Sequence, residues 1–139
     1  MRPSSIVNFE RVVLLIVLFH AATAAIEWER IIAEVRRAGI GQGPVIAILA
    51  GLLAIILLLM WLIARRRSAI AKWLYVALTL LLIASTIPSL SRIVDQGALA
   101  IALNVAFAAL SLVSIWLLFR PDARAWLEAG DDAVPGEGV

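Results

Sequence analysis

The sequence contains no cysteine and only one histidine, His20. It therefore has no disulfides, no thiolate metal sites and no cysteine nucleophile. A single histidine also excludes the usual multi-histidine metal and haem sites built from one chain. The sequence has no Walker loop, no HExxH or GxSxG motif and no acidic cluster for a divalent metal. We expect no bound metal, no cofactor and no enzymatic activity.

Charge is also scarce. Charged residues make up 16% of the 139 residues and hydrophobic residues 63%, and the mean hydropathy is +1.02. Soluble domains are about half apolar, and a chain of this size cannot bury so much apolar surface in water. The composition therefore indicates a membrane protein. The net charge is only +2, and the cations cluster beside apolar runs, so we interpret them as topology signals and expect no nucleic-acid partner.

Four apolar runs predict the architecture. A bilayer core of about 30 Å needs about 20 apolar residues in a helix. The runs 44–64, 69–90 and 98–119 meet that length, and a shorter run at 12–26 extends to a span of about 6–27 if Arg11 reaches the headgroups. Ser4 or Ser5 is expected to cap the start of this helix. We predict an all-α protein with four transmembrane helices in an up-down antiparallel bundle, forming one domain over residues 1–129.

The first run also fits a secretory signal peptide. Arg2 and Arg11 would form its basic region, residues 12–19 its apolar region, and residues 22–24 a small-residue cleavage site. We interpret the run as an uncleaved first span, and cleavage remains the alternative.

The distribution of arginine and lysine predicts the orientation. With the 65–72 connection in the cytoplasm, both termini are cytoplasmic and the inner side carries twice as many cations as the outer side. The inner set is Arg2, Arg11, Arg65, Arg66, Arg67, Lys72, Arg120 and Arg124, and the outer set is Arg30, Arg36, Arg37 and Arg92.

Three segments outside the spans have distinct patterns. Residues 27–38 predict an amphipathic outer segment, because apolar residues recur there at helical spacing. Residues 121–129 predict an interfacial helix on the inner side that begins at Pro121, and residues 130–139 predict a disordered tail. Arg65, Arg66, Arg67 and Lys72 are expected to anchor lipid headgroups.

Polar residues within apolar spans are the candidate functional residues. Eight lie in the predicted spans: His20, Thr23, Thr79, Ser85, Thr86, Asn104, Ser111 and Ser114. Depth along the helices predicts that His20, Asn104, Ser85 and Thr86 fall in the outer half, with Glu27 two turns beyond His20. We hypothesise that these five line a pocket for a proton or a polar ligand head. The structural alternative is hydrogen bonding between helices.

Small residues form two further patterns. Ala47/Gly51 and Ala50/Ala54 are small-xxx-small pairs, which let two helix backbones approach closely. A similar stripe follows the last span at Ala98, Ala102, Ala106 and Ala109. These stripes are contacts either within the chain or with other subunits.

Two short strings carry a family resemblance. Residues 66–73 (RRSAIAKW) open one span, and residues 119–127 (FRPDARAWL) close the last one. Both resemble segments of small four-helix bacterial inner-membrane proteins of unknown function. The resemblance implies an architecture and an inner-membrane location, and it implies no activity.

Three classes of function follow from the sequence. The first is a structural or accessory subunit that packs with a larger membrane complex or with itself, indicated by the small-residue stripes. The second is a small oligomeric transporter or channel with a polar pocket in its outer half. The third is a membrane enzyme that acts on lipid or quinone, and only His20 and Glu27 support this hypothesis.

Overall fold

The computed structural model describes residues 2–39, 41–95 and 97–131, and every regular element in these ranges is helical. The predicted all-α class is therefore confirmed. The helices are α1 Ser4–Ile26, α2 Trp28–Arg37, α3 Gln42–Arg66, α4 Ala69–Ser85, α5 Leu90–Asp95, α6 Ala98–Leu118 and α7 Pro121–Asp131, with a 3-10 turn at Ile87–Ser89 between α4 and α5.

Three helices are long and apolar enough to cross a membrane. They are α1 with 23 residues, α3 with 25 and α6 with 21. At a rise of 1.5 Å per residue, each is more than about 30 Å long, which matches the hydrocarbon core. Helix α4 is equally apolar but has 17 residues, so it extends only about 26 Å. Of the tail predicted at 130–139, residues 132–139 lie outside the described residues.

Helix α4 ends five residues earlier than the predicted span 69–90. The hydroxyl of Ser85 donates to the carbonyl of Leu82, and the hydroxyl of Thr86 donates to that of Ile83, each at 2.7 Å. Such local bonds compete with the helical ladder. Pro88 lacks an N–H and disfavours helical geometry in the residue before it, so the chain leaves the α-helix here.

The four apolar helices pack around a core at one end of the molecule. Helix α1 packs against α3 and α6, and α4 packs against the same two helices. We call the end that contains the start of α1, the α3–α4 turn and α7 the basic end, and the opposite end the distal end. The core lies in the half nearer the basic end and includes Phe9, Ile63, Tyr75 and Leu118. Phe9 meets Tyr75 edge-on, with ring centroids 5.2 Å apart.

A carboxylate from the far end of the chain holds the start of α1. The expectation that Ser4 or Ser5 caps this helix is wrong, because its N-cap is Pro3 and no side chain caps it locally. Instead, the buried hydroxyl of Ser5 donates to Asp122 Oδ1 at 2.8 Å and its N–H donates to Oδ2 at 3.2 Å. These bonds lower the pKa of Asp122. The negative charge also suits the positive end of the α1 dipole.

The turn between α3 and α4 is tight. Arg67 ends α3 in the left-handed conformation, at φ 54° and ψ 32°. The N–H of Ser68 returns to the carbonyl of Leu62 at 3.3 Å, and the Ser68 hydroxyl accepts the N–H of Ala71 at 3.2 Å to cap α4. A left-handed non-glycine residue costs about 1 kcal/mol. The guanidinium of Arg67 offsets part of this cost by lying 3.8 Å from the ring centroid of Trp126 on α7.

Candidate ligand-binding cavity

A cavity of about 350 Å³ lies among α1, α3, α4 and α6 in the half nearer the distal end. All five residues of the predicted pocket line it. His20 lies on α1 and Glu27 directly follows that helix; Ser85 is the last residue of α4 and Thr86 follows it; Asn104 lies on α6. The structure therefore brings the predicted set together.

Helical geometry explains how α1 supplies several of these groups. Thr23 follows His20 by one turn, Glu27 follows it by two, and all three line the cavity. At 1.5 Å per residue, the distance from His20 to Glu27 along the axis is about 10 Å. Polar groups are thus spread along the depth of the cavity, with the carboxylate nearest the distal end.

The walls between these polar groups are mainly apolar. Leu49, Leu52 and Leu53 line the cavity from α3, and Leu82 from α4. Ligand sites typically combine such apolar walls with a few polar groups, in volumes of about 300–1,000 Å³. The amphipathic helix α2 contributes Ile31 to the same cavity, so its apolar face covers part of the distal opening.

Several of the polar side chains are bonded to their own helices. Asn104 Nδ2 donates to the carbonyl of Ala100 at 2.9 Å, and the hydroxyl of Thr23 donates to the carbonyl of Phe19 at 2.9 Å. Ser85 and Thr86 make the equivalent bonds described above. Each of these groups keeps unused capacity, because an amide has one further N–H and an acceptor oxygen and a hydroxyl oxygen can still accept.

His20 differs from the other cavity residues. Its ring packs on Phe107 of α6, with centroids 4.5 Å apart and planes at 62°. Its Nε2 is buried and has no hydrogen-bond partner among the described residues. Buried polar atoms are rarely left in this condition, and so His20 is the residue whose surroundings most need an explanation.

A second polar cluster lies below His20 on the side of the basic end. Tyr75 of α4 and Ser114 of α6 share a hydrogen bond of 2.8 Å, and Ser114 also donates to the carbonyl of Ser111 at 2.7 Å. The predicted pocket did not include these residues. The available signal was the one-turn spacing of Ser111 and Ser114, which puts both hydroxyls on one face of α6.

The four predicted headgroup anchors all lie at the basic end and contact other side chains there. The charged groups of Arg66 and Lys72 are 5.4 Å and 5.3 Å from the ring centroids of Trp61 and Trp73. Arg65 Nε lies 3.9 Å from Glu10 Oε1. Arg67 lies over Trp126, as described above. The basic end therefore combines cations with tryptophans, the chemistry of a membrane–water interface.

Within the described residues, no three histidine or acidic side chains are grouped so that they could hold a metal ion. Comparisons of the chain with protein-family models, with curated proteins and with solved structures find no match.

Proposed function

We propose that the protein spans a bacterial inner membrane four times as an up-down bundle with both termini in the cytoplasm. Three helices of spanning length and a shorter apolar α4 support this count. The 3-10 turn Ile87–Ser89, which follows α4, continues this fourth span. The excess of arginine at the basic end supports the orientation.

Single cysteines test this topology, because the chain has no cysteine of its own. We expect Arg36→Cys on α2 to react with a membrane-impermeant thiol reagent added outside intact cells. Ser68→Cys in the α3–α4 turn should react only after the cells are opened. The reverse pattern would overturn the orientation.

We propose further that the distal cavity binds a small amphipathic molecule taken from the outer leaflet, and that the protein is a binding protein without catalysis. The observation that supports this most strongly is the convergence of five polar residues from separate elements in one mainly apolar cavity of about 350 Å³. Apolar walls suit a hydrocarbon portion, while His20 and Asn104 supply hydrogen bonds for a polar head.

The packing at the basic end favours binding over conduction. Five side chains there are fully buried, at 0% exposure, and fill the space between the helices: Ile6, Phe9, Val13, Ile63 and Leu118. Water-filled paths need polar or open linings, so this half of the molecule closes the cavity on the cytoplasmic side. A molecule in the cavity would exchange with the membrane or the outer side.

Two matched substitutions on α6 test the cavity. Ala100 lines it, whereas Ala102 is exposed on the outer surface of the same helix. We expect Ala100→Phe to remove an amphipathic molecule that native mass spectrometry detects on the wild type in mild detergent. Ala102→Phe should leave it bound. If the wild type carries no such molecule, or if both variants retain it equally, the binding proposal fails.

A second candidate function is the accessory subunit. Ala47, Ala50, Gly51 and Ala54 are all exposed on α3, and a Cβ added at Gly51 would meet nothing within 4 Å. The small-residue stripe is thus free to receive another helix. This function predicts that the protein co-purifies with a larger membrane complex. Co-purification that is lost in Gly51→Leu and retained in Ile48→Leu would favour it over a solitary binding protein.

A further inference from the structure

Two buried polar atoms without hydrogen-bond partners among the described residues belong to side chains that line the same small cavity. Nε2 of His20 and Oγ of Ser111 are both buried, and neither has a hydrogen-bond partner among the described residues. Ser111 is 1% exposed, so its hydroxyl cannot turn to bulk solvent. Both residues line a cavity of about 10 Å³ that lies beside the larger one.

The other walls of this small cavity bring further hydrogen-bonding groups. Thr79 and Tyr75 of α4 line it, together with apolar Ile16, Ile56 and Phe107. A site holds a buried water when it is polar, has two to four partners and offers about 10–15 Å³. An empty cavity of this size would be lined by apolar groups alone, which is not the case here.

We propose that this cavity is a binding site for one water molecule that joins His20 Nε2 to Ser111 Oγ. The water satisfies both atoms at once and lies next to the Tyr75–Ser114 hydrogen bond. The resulting network connects α1, α4 and α6 at mid-depth. It does not depend on what the larger cavity binds.

The water also gives His20 a defined role. In a neutral imidazole, the hydrogen bond made by one ring nitrogen determines whether the other donates or accepts. His20 lines both the small and the large cavity. Because water can either donate to Nε2 or accept from it, the water holds the His20 ring in one orientation against the larger cavity without selecting its tautomer.

The single histidine makes the proposal directly testable. Protein labelled with ¹⁵N-histidine gives imidazole signals from His20 alone. In bilayers, proton-detected solid-state NMR of the wild type should show a cross-peak between water and Nε2. The absence of this cross-peak would overturn the proposal without the need for any variant.

Two valine substitutions localise the water. Ser111→Val fills the small cavity and should abolish the cross-peak, whereas Ser85→Val, which lines only the larger cavity, should leave it intact. If S111V does not fold, Ser111→Ala is the second test, because it removes only the hydroxyl and should shift the Nε2 resonance. Ser111→Thr keeps a hydroxyl and should return the Nε2 resonance to its wild-type position. A cross-peak that survives S111V, or an Nε2 resonance that S111A leaves in place, would contradict the assignment.

Discussion

Truncation of Phe9 to alanine tests whether the basic end is closed by a packed core. Phe9 is 0% exposed and its ring contacts Tyr75 at 5.2 Å between centroids. Phe9→Ala removes about 100 Å³, and a residual cavity costs about 24 cal/mol per Å³, which gives about 2.4 kcal/mol. Loss of the aromatic pair adds about 1 kcal/mol. We add no free energy for moving the side chain from water into the protein, because the side chain stays in an apolar medium when the helices separate in detergent or lipid.

We therefore expect F9A to lower the free energy of unfolding by about 3 kcal/mol. Titration with SDS in mixed micelles, followed by circular dichroism and tryptophan fluorescence, measures this change. Phe9→Leu keeps most of the volume and should cost about 1 kcal/mol.

Leu18→Ala is the matched control on the same helix, because Leu18 is 66% exposed on the outer surface of the molecule. A surface substitution of this kind should change stability by less than about 0.5 kcal/mol. If F9A costs no more than L18A, the side chain of Phe9 does not belong to a packed core, and the account of the basic end is refuted.

Three other contacts give sharp expectations. The bonds from Ser5 depress the pKa of Asp122 in the folded protein. The stability that this carboxylate contributes is therefore fully present above its pKa in the unfolded chain, about 3.9, and is lost as the pH falls through the lower pKa of the folded state. Asp122→Asn should remove that part of the acid dependence, and parallel acid profiles of variant and wild type would contradict it. Tyr75→Phe deletes the hydrogen bond to Ser114 and should cost only about 0.6 kcal/mol in an unfolding titration. Ser68→Ala removes the cap of α4 and should cost about 1 kcal/mol, with Ser68→Asp close to the wild type.

Hydropathy predicts the long helices well because their apolar length is a local property of the chain. The runs 44–64 and 98–119 correspond to α3 Gln42–Arg66 and α6 Ala98–Leu118. The run 69–90 is equally apolar, but its helix ends at Ser85. There, local hydroxyl–carbonyl bonds and Pro88 compete with the helix, and an average over hydropathy does not register them.

Depth along a helix is also predictable, and it places His20, Glu27 and Asn104 in one half of the protein. Which helix faces turn toward each other is decided by packing between distant segments. The contact between His20 and Phe107 therefore has no signal in the sequence, and the spacing of Ser111 and Ser114 places them on one face of α6 without showing that this face is buried. The bond between Ser5 and Asp122 joins residues 117 positions apart and could not be predicted from either residue.

The most direct test of the account is a crystal structure of the protein extracted with its native lipids. We predict elongated non-protein density in the cavity of about 350 Å³, with its polar end near His20 and Asn104 and its remainder against Leu52 and Leu53. A cavity that has collapsed, with these side chains packed against one another and no density between them, would contradict the account.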